Sequence, residues 1–240
     1  MTASPKRLAR IAGVLYLLVA IFGAFALLFV DSKMYVPGDA ATTARNLLAN
    51  SGLVRLGIVA DLFQATVWVF VAMTLSLLLK RVHQGAAGAM VVLAAMGAGI
   101  TCLNDVFEFE GLRVATGAVN LGAFGAAGSN ALALLLLDTQ HYGVLIAQIF
   151  FGLWLAPMGY LAYKSGWFPK ALGVLLIVGC GCYLVDMLAQ FLVPGFGQTV
   201  HAFVTIPSAI AELWMVGYLL VIGVKTVKPA ARRAALAAID

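Results

Sequence analysis

The stretch PGDAATTARNLLANSGLVRLGIVADLF, Pro37 to Phe63, passes from a polar turn into an apolar run of membrane length. Gly38 and Asp39 open the turn, and Asp39 stands where a side-chain oxygen caps a helix. The short helix predicted there, Ala40–Asn50, carries Ala44, Leu47 and Leu48 as an apolar stripe, which suits an interfacial position. Arg55 and Asp61 then interrupt the start of the apolar run. A carboxylate facing lipid costs about 3 kcal/mol on insertion scales. Asp61 therefore reads as part of a polar site inside a membrane bundle.

The rest of the chain supports that class. Of 240 residues, 63% are hydrophobic and 10% charged, and the mean hydropathy is +1.01. Soluble domains carry about 25% charged residues. A helix needs about 20 apolar residues to cross the hydrocarbon core. That length predicts one all-α membrane domain over 1–240, a bundle of six transmembrane helices. The spans fall at 8–30, 53–79, 88–107, 142–163, 171–193 and 206–224. The first follows Lys6, Arg7 and Arg10, as a secretory signal would, but it is longer than a signal's apolar region and reads as an uncleaved span.

The basic residues orient the bundle. Lys6, Arg7, Arg10, Lys80, Arg81, Lys164, Lys170, Lys225, Lys228, Arg232 and Arg233 fall on one side, whereas Lys33, Arg45, Arg55 and Arg113 fall on the other. The first side is cytoplasmic by the positive-inside rule, with both termini on it. The location expected is the bacterial inner membrane. The basic tail 225–240 is placed against anionic lipid. No basic domain with interleaved aromatics exists, so nucleic acid is not an expected partner. Cys102, Cys180 and Cys182 lie within spans and read as packing residues. His83 reads as a solvated turn residue.

The connection from Glu108 to Gln140 is too long for a structureless loop. Its ALALLLLD segment (Ala131–Asp138) reads as a short helix on the outer face, or as an outward extension of the fourth span.

All acids but Asp240 lie in the outer half or in outer connections. Asp61, Asp186 and Glu212 sit roughly two turns inside their spans, about 10 Å deep. Helical spacing extends them into polar stripes. Asp61 shares a face with Gln64 and Trp68, Asp186 with Cys182 and Gln190, and Glu212 with Thr205 and Ser208. Thr101, Asn104, Asp105 and Glu108 end the third span, while His141 and Gln148 share a face of the fourth. The expected pocket holds Asp61, Asp186 and Glu212 facing one another, with Arg55, Asp105 and His141 at its mouth. The inner halves lack acids, which argues against a proton pathway and against an inverted repeat.

The stretches RIAGVLY (Arg10–Tyr16), GDAATTARNLLANSGLVRLG (Gly38–Gly57), GYLAYKSGWFPKALGVLLIVGCGCYLVD (Gly159–Asp186) and AELWMVGYLLVIG (Ala211–Gly223) stand in the order of a known family. The chain resembles the bacterial membrane family called domain of unknown function 4386. That resemblance implies a six-span or similar bundle and brings no reaction, substrate or cofactor.

Three functions stay open at this point. The first is a protein binding a small molecule or lipid in an outward-facing polar pocket. The second is a membrane-embedded enzyme, such as a metal-assisted lipid hydrolase. Two imidazoles and a carboxylate suit zinc or iron, and His141, His201, Asp186 and Glu212 are the candidate ligands for a divalent metal. No pair at metal-ligand spacing supports them, and no GxSxG elbow surrounds Ser208. The third is a non-catalytic scaffold for a partner protein.

Overall fold

The computed structural model describes residues 4–225, which leaves 226–240, and with it most of the basic tail, outside the described residues. Those residues form helices and, among them, no strand. Helix α1 (Pro5–Gly23) widens to π-type hydrogen bonding over Ala24–Asp31 and ends in a last turn, Ser32–Met34. Then follow α2 (Ala40–Ala49), α3 (Ser51–Leu79), α4 (Gln84–Ala115), α5 (Gly125–Leu153), α6 (Leu155–Ser165), α7 (Lys170–Leu192), α8 (Pro194–Val204) and α9 (Ile206–Val221). Five helical runs are long and apolar enough to cross a membrane, and Ile206–Val221 is apolar but shorter.

Local chemistry starts and stops these elements. Asp39 caps α2, its carboxylate accepting the Thr42 N–H at 2.9 Å. That bond holds Asp39 below the usual carboxylate range. The stripe on α2 differs from the expected one: Thr43, Ala44 and Leu47 are buried, and Leu48 is exposed. His83 is more than a solvated turn residue, because its Nδ1 accepts the Ala86 N–H at 3.0 Å and caps α4.

Prolines explain the two breaks. Pro157 has no N–H for the Leu153 carbonyl, and the helix divides at Trp154. Pro207 leaves the Phe203 carbonyl in the same position, and the division falls at Thr205. The Thr205 N–H still reaches the His201 carbonyl at 3.1 Å, so α8 leads directly into α9.

Two helices outrun the expected spans. The third does not end at Phe107 but continues to Ala115, and the fourth begins at Gly125 rather than Tyr142. ALALLLLD thus extends the fourth span outward instead of forming a separate helix. Nothing between Gly125 and Leu153 breaks a helix, and its Asp138 and Gln148 pair with Tyr35 and Asp186.

Short turns make successive long helices neighbours. α1 packs on α3, α3 on α4, α4 on α5, α5 on α7 and α7 on α9, and α9 returns to α1. The ring holds two apolar cores. The larger joins Tyr16, Trp68, Leu75, Met90, Trp154, Leu176 and Met215. The smaller joins Val30, Met34, Leu47, Val54, Ile58, Leu112 and Leu137, where α2 packs across the extended ends of α4 and α5. Most of the buried polar residues, among them Thr101, Asn104, Asp105, Glu108, Gln140, Gln148 and Asp186, belong to the helix segments between the two cores.

Candidate functional site

Within this polar layer lies a cavity of about 230 Å³. Every long helix of the ring contributes to it. α1 supplies Tyr16, Val19, Gly23, Leu27 and Asp31, and α3 supplies Asp61, Gln64 and Trp68. Thr101 comes from α4, Gln140, Val144 and Phe151 from α5, Tyr183 from α7 and Glu212 from α9, with Trp154 at the α5–α6 break. The π-type widening of α1 begins beside Gly23, which faces Gln64: a Cβ there would lie 3.6 Å from its Oε1. Such widened turns recur at functional sites because they shift the register of one helix face.

At one end, the Asp61 carboxylate accepts the Gln64 amide at 2.9 Å. Asp31 and Gln140 line the same cavity. Asp31, Asp61, Asp105 and Glu108 lie close enough for their charges to interact. Asp105 and Glu108 are buried, and neither Asp105 oxygen has a hydrogen-bond donor. At the other end, Glu212 accepts the Tyr16 hydroxyl at 2.6 Å and the Tyr183 hydroxyl at 3.0 Å. Aromatic rings stand between these ends. Tyr16 meets Trp154, and Trp68 meets both Trp154 and Phe151, all edge to face with centroids 5.1–5.4 Å apart.

The structure thus brings Asp61, Gln64 and Glu212 to one cavity, with Asp105 behind Asp61. It does not bring Asp186 there. Asp186 is fully buried, accepts Gln148 Nε2 at 2.7 Å and meets His201 Nδ1 at 2.9 Å, while the His201 ring is exposed. Ser208 donates to the Gly179 carbonyl at 3.2 Å and ties α9 to α7 rather than meeting a base. Gln190 is half-buried where α8 turns back on α7, a Cβ on Gly197 lying 2.7 Å from its Cα. Arg55 is exposed and sits over the Phe109 ring, 5.6 Å from its centroid. His141 is exposed and stacks on Tyr35, whose hydroxyl donates to Asp138 at 2.5 Å. Burial and that carboxylate hold the Tyr35 phenol above its ordinary value. Of the four candidate metal ligands, Asp186 and His201 meet, whereas His141 stacks on Tyr35 and Glu212 is held by Tyr16 and Tyr183. Among the described residues no three His, Cys, Asp or Glu side chains group closely enough to hold a metal ion.

Four polar cavity residues, Tyr16, Asp31, Gln140 and Tyr183, escaped the sequence reading. Asp31 counts there only among the outer acids. Tyr16 and Tyr183 carry no reading there. The signal available for them was a phenol in a mid-span position, since a buried Tyr hydroxyl normally has a polar partner.

A family model described as "Domain of unknown function (DUF4386)" matches residues 11–223. An uncharacterized protein of Archaeoglobus fulgidus is 33% identical over 79 residues, 32% of this chain and 48% of that protein. The matched segment thus spans about half the length of that relative. No solved structure matches the chain.

Proposed function

Because the chain belongs to this family, whose description carries no activity, we propose a function from its own residues: it binds a small molecule in the cavity between its helices. The protein is then an integral, multi-pass component of the bacterial cytoplasmic membrane, with six spans and both termini cytoplasmic. Membrane lipids surround it, and the polar layer lies in the outer half. The basic residues at the start of α1, after α3, and around the α6–α7 turn support this orientation.

One observation carries the binding reading. Side chains from every long helix converge on one cavity that carries polar groups at both ends and is set between two apolar cores. Polar groups inside a membrane bundle are costly, and those that face its interior commonly mark a functional site. The volume favours a small molecule over a whole lipid, since about 230 Å³ falls below the roughly 300–1,000 Å³ of drug-sized sites.

Gly23→Leu tests the reading without touching an acid, because its side chain would project into the cavity. Wild type and variant are purified in native lipid and their co-purifying compounds compared by mass spectrometry. The expected result is a compound that falls at least fivefold in the variant while its unfolding temperature holds. An identical set of compounds in both would overturn the reading.

A further inference from the structure

The cavity's charge is one-sided. Asp31, Asp61 and Glu212 line it, and among the described residues no Lys, Arg or His does. Asp105 stands behind Asp61, 3% exposed, with both oxygens free of any donor. Its charge interacts with those of Asp61 and Asp31. Two nearby guanidinium groups are engaged elsewhere, Arg55 over Phe109 and Arg113 with Glu110 at 2.6 Å. A carboxylate kept from water needs an opposite charge or a proton.

The walls add a second, independent feature. Tyr16, Trp68, Phe151 and Trp154 surround the middle of the cavity. Aromatic faces carry negative potential and attract cations within about 6 Å of the ring centroid. The carboxylates are too dispersed to form a metal-ligand group. Dispersed carboxylates with aromatic rings between them suit a cation that has a carbon skin. The available space equals roughly eight water molecules' share of liquid volume.

Resting on the binding role proposed above, we propose that the cavity takes a small organic ammonium ion, a short alkyl amine in its protonated form. The ammonium group lies against Asp61 and Asp31, whose carboxylates carry the complementary charge. The alkyl part lies along Trp68, Phe151 and Trp154. Glu212, oriented by two phenols, bounds the inner end.

Titration calorimetry of the full-length protein in lipid nanodiscs tests this at fixed ionic strength. The probes are n-butylammonium chloride, its neutral counterpart 1-butanol, and calcium chloride. Saturable butylammonium binding is expected, at least tenfold weaker in Asp61→Asn, with no saturable binding of butanol. Asp61→Asn keeps size and hydrogen bonding, and circular dichroism checks its fold; Glu212→Gln serves as the second variant should the first misfold. Butanol binding as tightly as butylammonium would overturn the proposal. So would calcium binding in place of the amine, or amine binding indifferent to both variants. If no amine binds while Gly23→Leu still loses a co-purifying compound, only the cationic assignment falls. If both experiments fail, the binding reading falls with it.

Discussion

At the residue scale, Glu212 illustrates how an acid is kept inside an apolar bundle. Tyr16 reaches it from α1 and Tyr183 from α7, so one carboxylate joins three helices. Each hydrogen bond contributes about 1 kcal/mol. Tyr16→Phe and Tyr183→Phe should each lower stability by about that amount in a denaturation series. The double variant should cost more than the sum, because it leaves the carboxylate without a donor. Strictly additive losses would show that another group supports Glu212. Depth alone placed Asp61, Asp186 and Glu212 at one level in the sequence, but depth does not fix rotation about a helix axis. Asp186 lies one turn beyond Tyr183, offset by about 60° about the axis, and its carboxylate meets Gln148 and His201 rather than the cavity.

At the element scale, helix existence was legible because apolar runs long enough to cross a membrane have few other readings. Helix ends were less so. Apolar length measures the hydrocarbon thickness, whereas α4 and α5 continue past it to build the smaller core with α2. The closest packing was also hidden. Gly159 on α6 and Gly173 on α7 flank the KSGWFPKA turn, and each faces the other's backbone. A Cβ on Gly159 would lie 2.6 Å from the Gly173 carbonyl oxygen, and one on Gly173 would lie 2.8 Å from that of Gly159. Backbone cannot rotate aside as a side chain can. Small residues at such crossings let membrane helices approach, and overpacking costs about 1–3 kcal/mol. Gly173→Ala should therefore destabilise the protein by that amount, read as a lower midpoint in denaturant. Gly181→Ala on the same helix faces open space and serves as the neutral comparison. Equal midpoints for the two variants would contradict the close crossing.

At the scale of the whole molecule, the ring of helices makes orientation and site one question. Single cysteines in a cysteine-free background should divide cleanly. Asn120→Cys, in the exposed turn after α4, should react with an impermeant thiol reagent in intact cells. Arg81→Cys, in the exposed turn after α3, should react only after permeabilisation. The opposite pattern would invert the topology, and labelling of both in intact cells would break the span count. The central claim is that six helices enclose one ligand-holding cavity, polar at both ends, between two apolar cores. An experimental density map of the protein purified in native lipid tests it most directly. The expected result is non-protein density bounded by Asp61, Trp68 and Glu212, with the Tyr16 and Tyr183 hydroxyls on Glu212. A map in which Asp61 and Glu212 point separately into lipid, with protein filling the space between them, would contradict it.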